Sequence, residues 1–338
     1  MDLNTVWFLL VGILIIGYAI LDGFDLGVGS LYYLLGKTEE EKRILLNSVG
    51  PFWDGNEVWL LTGGGALFAA FPLVYASVFS GFYLAMILVL FGLIFRAIGL
   101  EYRNKFADPV WRGRLDFLFF LGSFLPALLF GVAVGNVAKG LPLDSAYNYT
   151  GGFFGLLNPY ALLMGLLGLA AFLMQGVTFT MMKTEGAVQE RAKGLFAKIW
   201  PGFVILYVLA TVYTYLSVPS LFANYSKFPV LYPVPLLAVL GIFAAPMAVK
   251  GAKYGAAFFA SSLTMAGMIL TLALGMYPNW VPALDPRYSL TVYNAASSPL
   301  TLKTMLVIAL LGVPIVLFYT IYVYRVFKGK VKLEQEGY

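Results

Sequence analysis

Cysteine and histidine are both absent from the 338 residues. Without cysteine there is no disulfide framework and no thiolate metal site. Without either residue the chain is a poor candidate to ligate a redox centre alone, because transition metals and haem iron are usually held by His or Cys and less often by Met or Tyr. Charge is scarce as well: only 12% of residues are charged, and only 17 are acids. What is abundant is apolar surface, with 60% hydrophobic and 17% aromatic residues and a mean hydropathy of +0.83. That balance excludes an ordinary soluble domain and predicts an integral membrane protein. The apolar runs are about 20 residues long, the length of spanning helices; barrel strands would be shorter and alternating.

Nine such runs can be drawn, over 6–35, 53–72, 80–100, 115–137, 157–182, 199–219, 231–249, 254–276 and 302–325. The reading is an all-α integral membrane protein of about nine transmembrane helices, a single polytopic domain over 1–338. Two four-helix bundles plus one extra helix suggest halves 1–137 and 157–276 with a last helix at 302–325, although no residue-level repeat supports a duplication. The first run holds no Lys or Arg before Lys37 and is too long for a signal peptide, so it is expected to be retained. The segments after the first, third, fifth, seventh and ninth runs, counting Arg96 and ending at Lys332, carry 18 of the 22 cations, and the other side carries only Lys139, Lys227, Arg287 and Lys303. Positive charge collects on the cytoplasmic side, which predicts an outside N-terminus and a cytoplasmic C-terminus. The net charge of +5 therefore reflects topology and not a nucleic-acid partner. On the outer side, 138–156 and 277–301 read as short ordered caps, and the sequons at Asn148 and Asn224 are formal ones only.

Within this frame the few near-membrane acids gather at one level. At 1.5 Å per residue, Asp22 and Asp25 lie roughly 25–30 Å along the first helix, toward the cytoplasmic end of a core about 30 Å thick. Asp54 and Glu57 begin the second helix on the same side, Arg96 closes the third with Glu101 and Arg103 behind it, and Asp116 opens the fourth. Asp22/Asp25 and Asp54/Glu57 are both i, i+3 pairs, which share a helix face. Two carboxylates on one face in low dielectric repel each other and resist ionisation, while Arg96 opposes this, so such a group can hold and pass protons near neutral pH. Interaction with the helix dipole alone accounts for acids in a first turn, as at Asp54, Glu57 and Asp116. It does not account for Asp22 and Asp25, late in their helix, for which a function or an ion pair with Arg96 is favoured.

Gly23 and Gly27 stand at a G-x-x-x-G spacing, and "TGGGALFAA" is a second row of small residues. Both suit close helix packing. Gly27-Val28-Gly29 is no dinucleotide fingerprint, since no strand precedes it. Trp7, Trp53, Trp59, Trp111, Trp200 and Trp280 fall mostly near span ends, as interface belts do, and a quinone or lipid tail could lie along them.

"LDGFDLGVG" at 21–29, "WDGNEVWLLTGGGALFAAFP" at 53–72, "YASVFSGFYLAMILVLFGLIFRAIGLEYR" at 75–103 and "GSFLPALLFGVAVGN" at 122–136 resemble subunit II of the cytochrome bd quinol oxidases. "LNPYALLMGL" and the "SSPLTL" and "VPIVLFYTIYVYRVFKG" stretches fit it too. The resemblance implies a prokaryotic cytoplasmic membrane complex that oxidises quinol and reduces oxygen to water. In it a partner, subunit I, carries two b-type haems and one d-type haem, and subunit II holds none. It also implies a proton path from the cytoplasm at the subunit interface, attributed partly to the Asp of "WDGN", matched by Asp54. Asp25, Arg96 and Asp116 match positions that support the oxygen-reducing site, and Glu57 stands where some members have Gln. On this reading Asp54, Glu57 and Asp25 form the path. Asp22, Arg96 and Asp116, together with Asp25, form one supporting charge-balanced cluster. A small single-span subunit and a bound lipid or quinone stay open. A proton-coupled secondary transporter is the alternative, disfavoured because the charge lies at one face and not at the midplane of helices five to eight; a purely structural scaffold is the third.

Overall fold

The computed structural model describes residues 2–331, so Lys332 lies outside the described residues. Eight of the described helices are long and apolar enough to cross a membrane, and counting as one span the pair Trp53–Ala70 and Pro72–Gly81, bent by 120°, gives up to nine. In chain order the helices are α1 (Leu3–Ser30), α2 (Tyr32–Leu35), α3 (Glu39–Val49), α4 (Trp53–Ala70), α5 (Pro72–Gly81), α6 (Tyr83–Tyr102), α7 (Pro109–Lys139), α8 (Pro159–Lys183), α9 (Gly186–Ser217), α10 (Ala223–Lys227), α11 (Pro233–Lys250), α12 (Tyr254–Met276) and α13 (Pro299–Val326). Each of the nine apolar runs falls on one of these. The first run is split at Ser30 into α1 and α2, and the second ends at Phe71, where α4 turns sharply into α5.

Local chemistry explains most ends. Asp2, Thr38, Asp108, Asn158 and Ser298 accept backbone N–H groups at the starts of α1, α3, α7, α8 and α13, satisfying donors that no helix can pair internally. Proline opens α5, α7, α8, α11 and α13, where its missing N–H costs nothing. Gly140, at φ 98°, ends α7 in a conformation that a side chain would strain. α3 is not a span. Its Thr38/Glu41 capping box precedes a helix that buries Leu45, Leu46 and Val49, so an amphipathic helix lies between the first two spans.

Contacts place the cation-rich segments on one face. Arg103, after α6, meets Glu39 of α3 at 2.7 Å, and Arg191 of α9 meets Glu41 at 2.5 Å. Lys193 lies over the ring of Tyr254, which opens α12. Lys330, beyond α13, donates to the carbonyls of Met181 and Thr184 at the end of α8, where a cation also suits the helix dipole. The opposite face is covered by the two long connections. Leu141 bridges Ala283, β1 (Asn279–Val281) pairs antiparallel with β2 (Leu290–Thr291), and Ser297 N donates to Ala70 O at 2.8 Å.

α1 is the hub, touching α4, α7, α8 and α12. Its crossing with α8 is set by backbone against backbone. A Cβ on Gly27 would lie 2.0 Å from Phe172 O, and one on Gly176 would lie 2.4 Å from Gly27 C. Small residues thus let the two helices approach as closely as main chains allow. Around them Phe24 stacks on Phe179 at 3.9 Å, in a core shared by α1, α8, α9 and α12. α13 is the exception. It buries only Leu302, and its remaining face is apolar and exposed.

Because the neighbours of Gly176 are main-chain atoms that cannot rotate away, Gly176→Ala should destabilise the protein by about 1–3 kcal/mol, the range of overpacked cores. Gly12→Ala, where a Cβ meets nothing within 4 Å, should stay within about 0.5 kcal/mol. Melting temperatures of the two variants in mild detergent check this contrast.

Candidate functional site

Two buried charge groups stand at the cation-rich end of the first four spans. The first is centred on Arg96 of α6, which is 1% exposed. Its Nη1 lies 2.7 Å from Asp22 Oδ1 of α1, and its Nη2 lies 2.6 Å from Glu57 Oε1 of α4. Gly122 of α7 makes the depth possible: a Cβ there would sit 2.3 Å from Arg96 N, so α7 runs directly against the α6 backbone. Asp25, one turn beyond Asp22 and equally buried, does not pair with the guanidinium. Its Oδ2 accepts from Asn56 Nδ2 at 2.7 Å, the same nitrogen donates to Leu21 O at 3.0 Å, and Tyr324 of α13 donates to Asn56 Oδ1 at 3.0 Å.

The count of charges decides what this group can do. Asp22, Asp25 and Glu57 face a single guanidinium, so full ionisation would leave two negative charges uncompensated in low dielectric. Two protons shared among the carboxylates bring it to neutrality. Asp25 Oδ1 and Arg96 Nε are buried with no hydrogen-bond partner among the described residues.

The second group is centred on Asp116 of α7, also 1% exposed. Its Oδ1 accepts from Arg103 Nε at 2.5 Å and from the Tyr32 hydroxyl at 2.9 Å, and its Oδ2 accepts from Lys42 Nζ at 2.7 Å. Arg103 also reaches Glu39, and a cleft of about 190 Å³ lined by Glu39, Lys42, Pro109, Arg112, Gly113 and Asp116 opens beside it. The single cluster of Asp25, Arg96 and Asp116 expected from the sequence is thus corrected. Arg96 lies in α6 and Arg103 follows its end seven residues on, roughly 10 Å away at helical rise, so each guanidinium serves its own carboxylates. Asp116 belongs with Arg103, Lys42 and Tyr32. Of the two acids late in α1, Asp22 makes the ion pair with Arg96 and Asp25 does not.

Asp54 and Glu57 also part company. Asp54 is exposed in the first turn of α4, whereas Glu57 turns inward to Arg96 with its side chain 23% exposed. Glu57 therefore links the surface to the buried group. Sequence reasoning missed Asn56, Tyr324, Lys42 and Tyr32 as parts of these groups. The signal for α3 was present in Thr38 and Glu41, three apart before Leu45, Leu46 and Val49, a capping box ahead of an apolar stripe. Nothing local marked Tyr324.

The chain has neither His nor Cys, the usual ligands of haem iron. Among the described residues no three of His, Cys, Asp and Glu are grouped to hold a metal. Residues 3–327 match the family described as cytochrome bd terminal oxidase subunit II. The chain belongs to that family. It is 41% identical to the probable cytochrome oxidase subunit 2 of Haemophilus influenzae, over 97% of this chain and 95% of that one. It is 40% identical to the cytochrome bd-I ubiquinol oxidase subunit 2 of Escherichia coli K12, over 98% and 96%, and 35% identical to the cytochrome bd ubiquinol oxidase subunit 2 of Bacillus subtilis 168, over 98% and 97%. The solved bd oxidase of Geobacillus thermodenitrificans shares its fold, with a TM-score of 0.80 at 18% identity over 97% of this chain and 99% of that one. A subunit II is one component of an oxidoreductase complex that includes the other oxidase subunit, and a multi-pass membrane protein. The transporter alternative is not favoured.

Two predictions concern the outer edge of this subunit II site. Arg103→Met leaves Asp116 with Lys42 and Tyr32 alone and should destabilise by roughly 3 kcal/mol, as losing one partner of a buried ion pair does; faster limited proteolysis across 36–50 reads it. The ion pair with Arg191 and the Lys37 and Thr38 amides hold the Glu41 carboxyl below the usual carboxylate range. A depressed value stabilises the folded form above the unfolded pKa of about 4.3 and loses that stabilisation as pH falls through the folded value. Hydrogen-exchange protection factors in α3 and the start of α9, which divide out the intrinsic pH dependence of amide exchange, should therefore fall below about pH 4 and stay flat between pH 6 and 8.

Proposed function

We propose that this chain is the haem-free subunit II of a quinol oxidase in a prokaryotic cytoplasmic membrane, and that its Arg96 group conducts protons from the cytoplasm toward the other subunit. In this reading the cation-rich face is cytoplasmic, as the distribution of Lys and Arg favours. The two b-type haems and one d-type haem belong to subunit I, and when bound there they supply electron transfer and oxygen binding. The chain itself binds no redox group and is not catalytic alone.

The observation that carries the reading is the series of carboxylates from the surface to the buried Arg96 group. Asp54 is exposed at the first turn of α4, Glu57 follows three residues on, and Glu57 and Asp22 grip the same guanidinium with Asp25 behind them. Asp54 collects a proton from water. Glu57 accepts it and releases its hold on Arg96, whose charge then rests on Asp22. The single guanidinium keeps one carboxylate ionised, and that carboxylate can take the next proton. Asp116 with Arg103 and Lys42 does different work, pinning α3 across the ends of α6 and α7 so that the path keeps its shape. The exposed apolar faces of α6, α9 and α13 are available to subunit I, to lipid or quinone, and to a small single-span subunit.

Asp54→Asn should slow quinol-driven oxygen uptake by roughly tenfold or more, since a positioned proton-transfer group contributes about two to four powers of ten, while haem content stays normal. A reduced-minus-oxidised spectrum of the complex purified through this chain measures that content. Full turnover in a haem-replete Asp54→Asn complex would remove the entrance role.

A further inference from the structure

α13 carries almost no packing of its own, yet one of its side chains reaches the centre of the first four spans. Tyr324 lies with its ring 4.5 Å from that of Phe52, at the start of α4, and its hydroxyl donates to Asn56 Oδ1 at 3.0 Å. Asn56 is 2% exposed, and its amide has two orientations that fit the same space, one presenting Nδ2 to Asp25 and one presenting Oδ1. Two neighbours on different helices choose between them. Leu21 O, from α1, accepts from Nδ2 at 3.0 Å and as a carbonyl can do nothing else. The Tyr324 hydroxyl supplies a donor on the other side, where Oδ1 needs one. Together they hold an N–H toward Asp25 Oδ2 at 2.7 Å. Without the hydroxyl, Oδ1 loses its buried donor and the amide is free to turn an acceptor toward the carboxyl.

We propose that Tyr324 is a positioning residue for Asp25, acting through Asn56, and that α13 thereby sets the protonation behaviour of a group it does not touch. This deepens the proton path proposed above and rests on it. The titratable groups that face Asp25 are Asp22 on α1, Glu57 on α4, Arg96 on α6 and Tyr324 itself. None of them offers Asp25 a second hydrogen bond, so the Asn56 amide is its one directional partner among the described residues.

The test is a double-mutant cycle on the assembled oxidase, following quinol-driven oxygen uptake across pH and using haem content to report assembly. Tyr324→Phe keeps the ring on Phe52 and removes only the hydroxyl. Turnover should fall by roughly threefold to tenfold, the weight of one buried hydrogen bond, with a displaced pH profile. The effect should vanish when Asp25 is already Asn, because residues acting through one another do not add. Asn56→Ser, which leaves α13 intact, should displace the profile in the same way. Full turnover with an unchanged profile in Tyr324→Phe, beside a slow Asp25→Asn, would overturn the positioning role and leave the proton path standing. An equal loss in both Asp25 backgrounds would mean that the hydroxyl serves packing alone, which also overturns it. Full turnover in Asp25→Asn would overturn the proton path and this inference with it.

Discussion

A guanidinium held inside a membrane protein by carboxylates from two other helices is the constraint around which the first four spans are arranged. Arg96 is as buried as any leucine in the core, and the cost of taking such a charge out of water is met only where oppositely charged oxygens converge on it. Asp22 and Glu57 reach it from different helices at 2.7 and 2.6 Å. α1, α4 and α6 must therefore arrive in one register, and Gly122 removes the side chain that would have kept α7 away from that register. A neutral bundle could slip along its axes and still bury the same area. This one cannot, because any slip strands a charge.

The same logic separates the two charge groups by how fully their carboxylates are paired. Around Asp116 the partners are Arg103, Lys42 and Tyr32, donors enough to satisfy both of its oxygens. A carboxylate so fully coordinated is a clamp, and it ties the amphipathic helix α3 to the spans. Around Arg96 the acids outnumber the base, and Asp25 Oδ1 and Arg96 Nε lack hydrogen-bond partners among the described residues. Saturation favours rigidity, and in the proposed path the unsatisfied group is the one that exchanges protons.

The spans were legible in the sequence because twenty apolar residues in succession admit few other readings. The all-α membrane fold and the membership of the oxidase family, read from "DGFD", "WDGN" and the stretch ending in "LEYR", agree with the helices and with the relatives found. The candidate acids were legible because charge is so rare here that each one stands out. What spacing could not supply was partnership between helices. The i, i+3 rule put Asp54 beside Glu57, but it could not tell that one faces water and the other turns toward Arg96. It could not divide Arg96, in α6, from Arg103, which follows the end of that helix seven residues on. Asn56 and Tyr324 were invisible for a simpler reason: an amide in "DGNE" and a tyrosine in a tyrosine-rich last helix look ordinary until the fold brings them within 3.0 Å.

The contact of Gly27 with Gly176 bears on what this protein can do mechanically. Main chain against main chain leaves no side-chain layer to shear, so α1 has no second resting position one turn, about 5.4 Å, up or down α8. Carriers that expose a site to the two sides of a membrane in turn rely on rocking one group of helices against another. A helix held by glycines on one side and by Arg96 on the other resists sliding against those neighbours. In the proposed path the carboxylates are stations on a stationary track, and the proton is the part that travels.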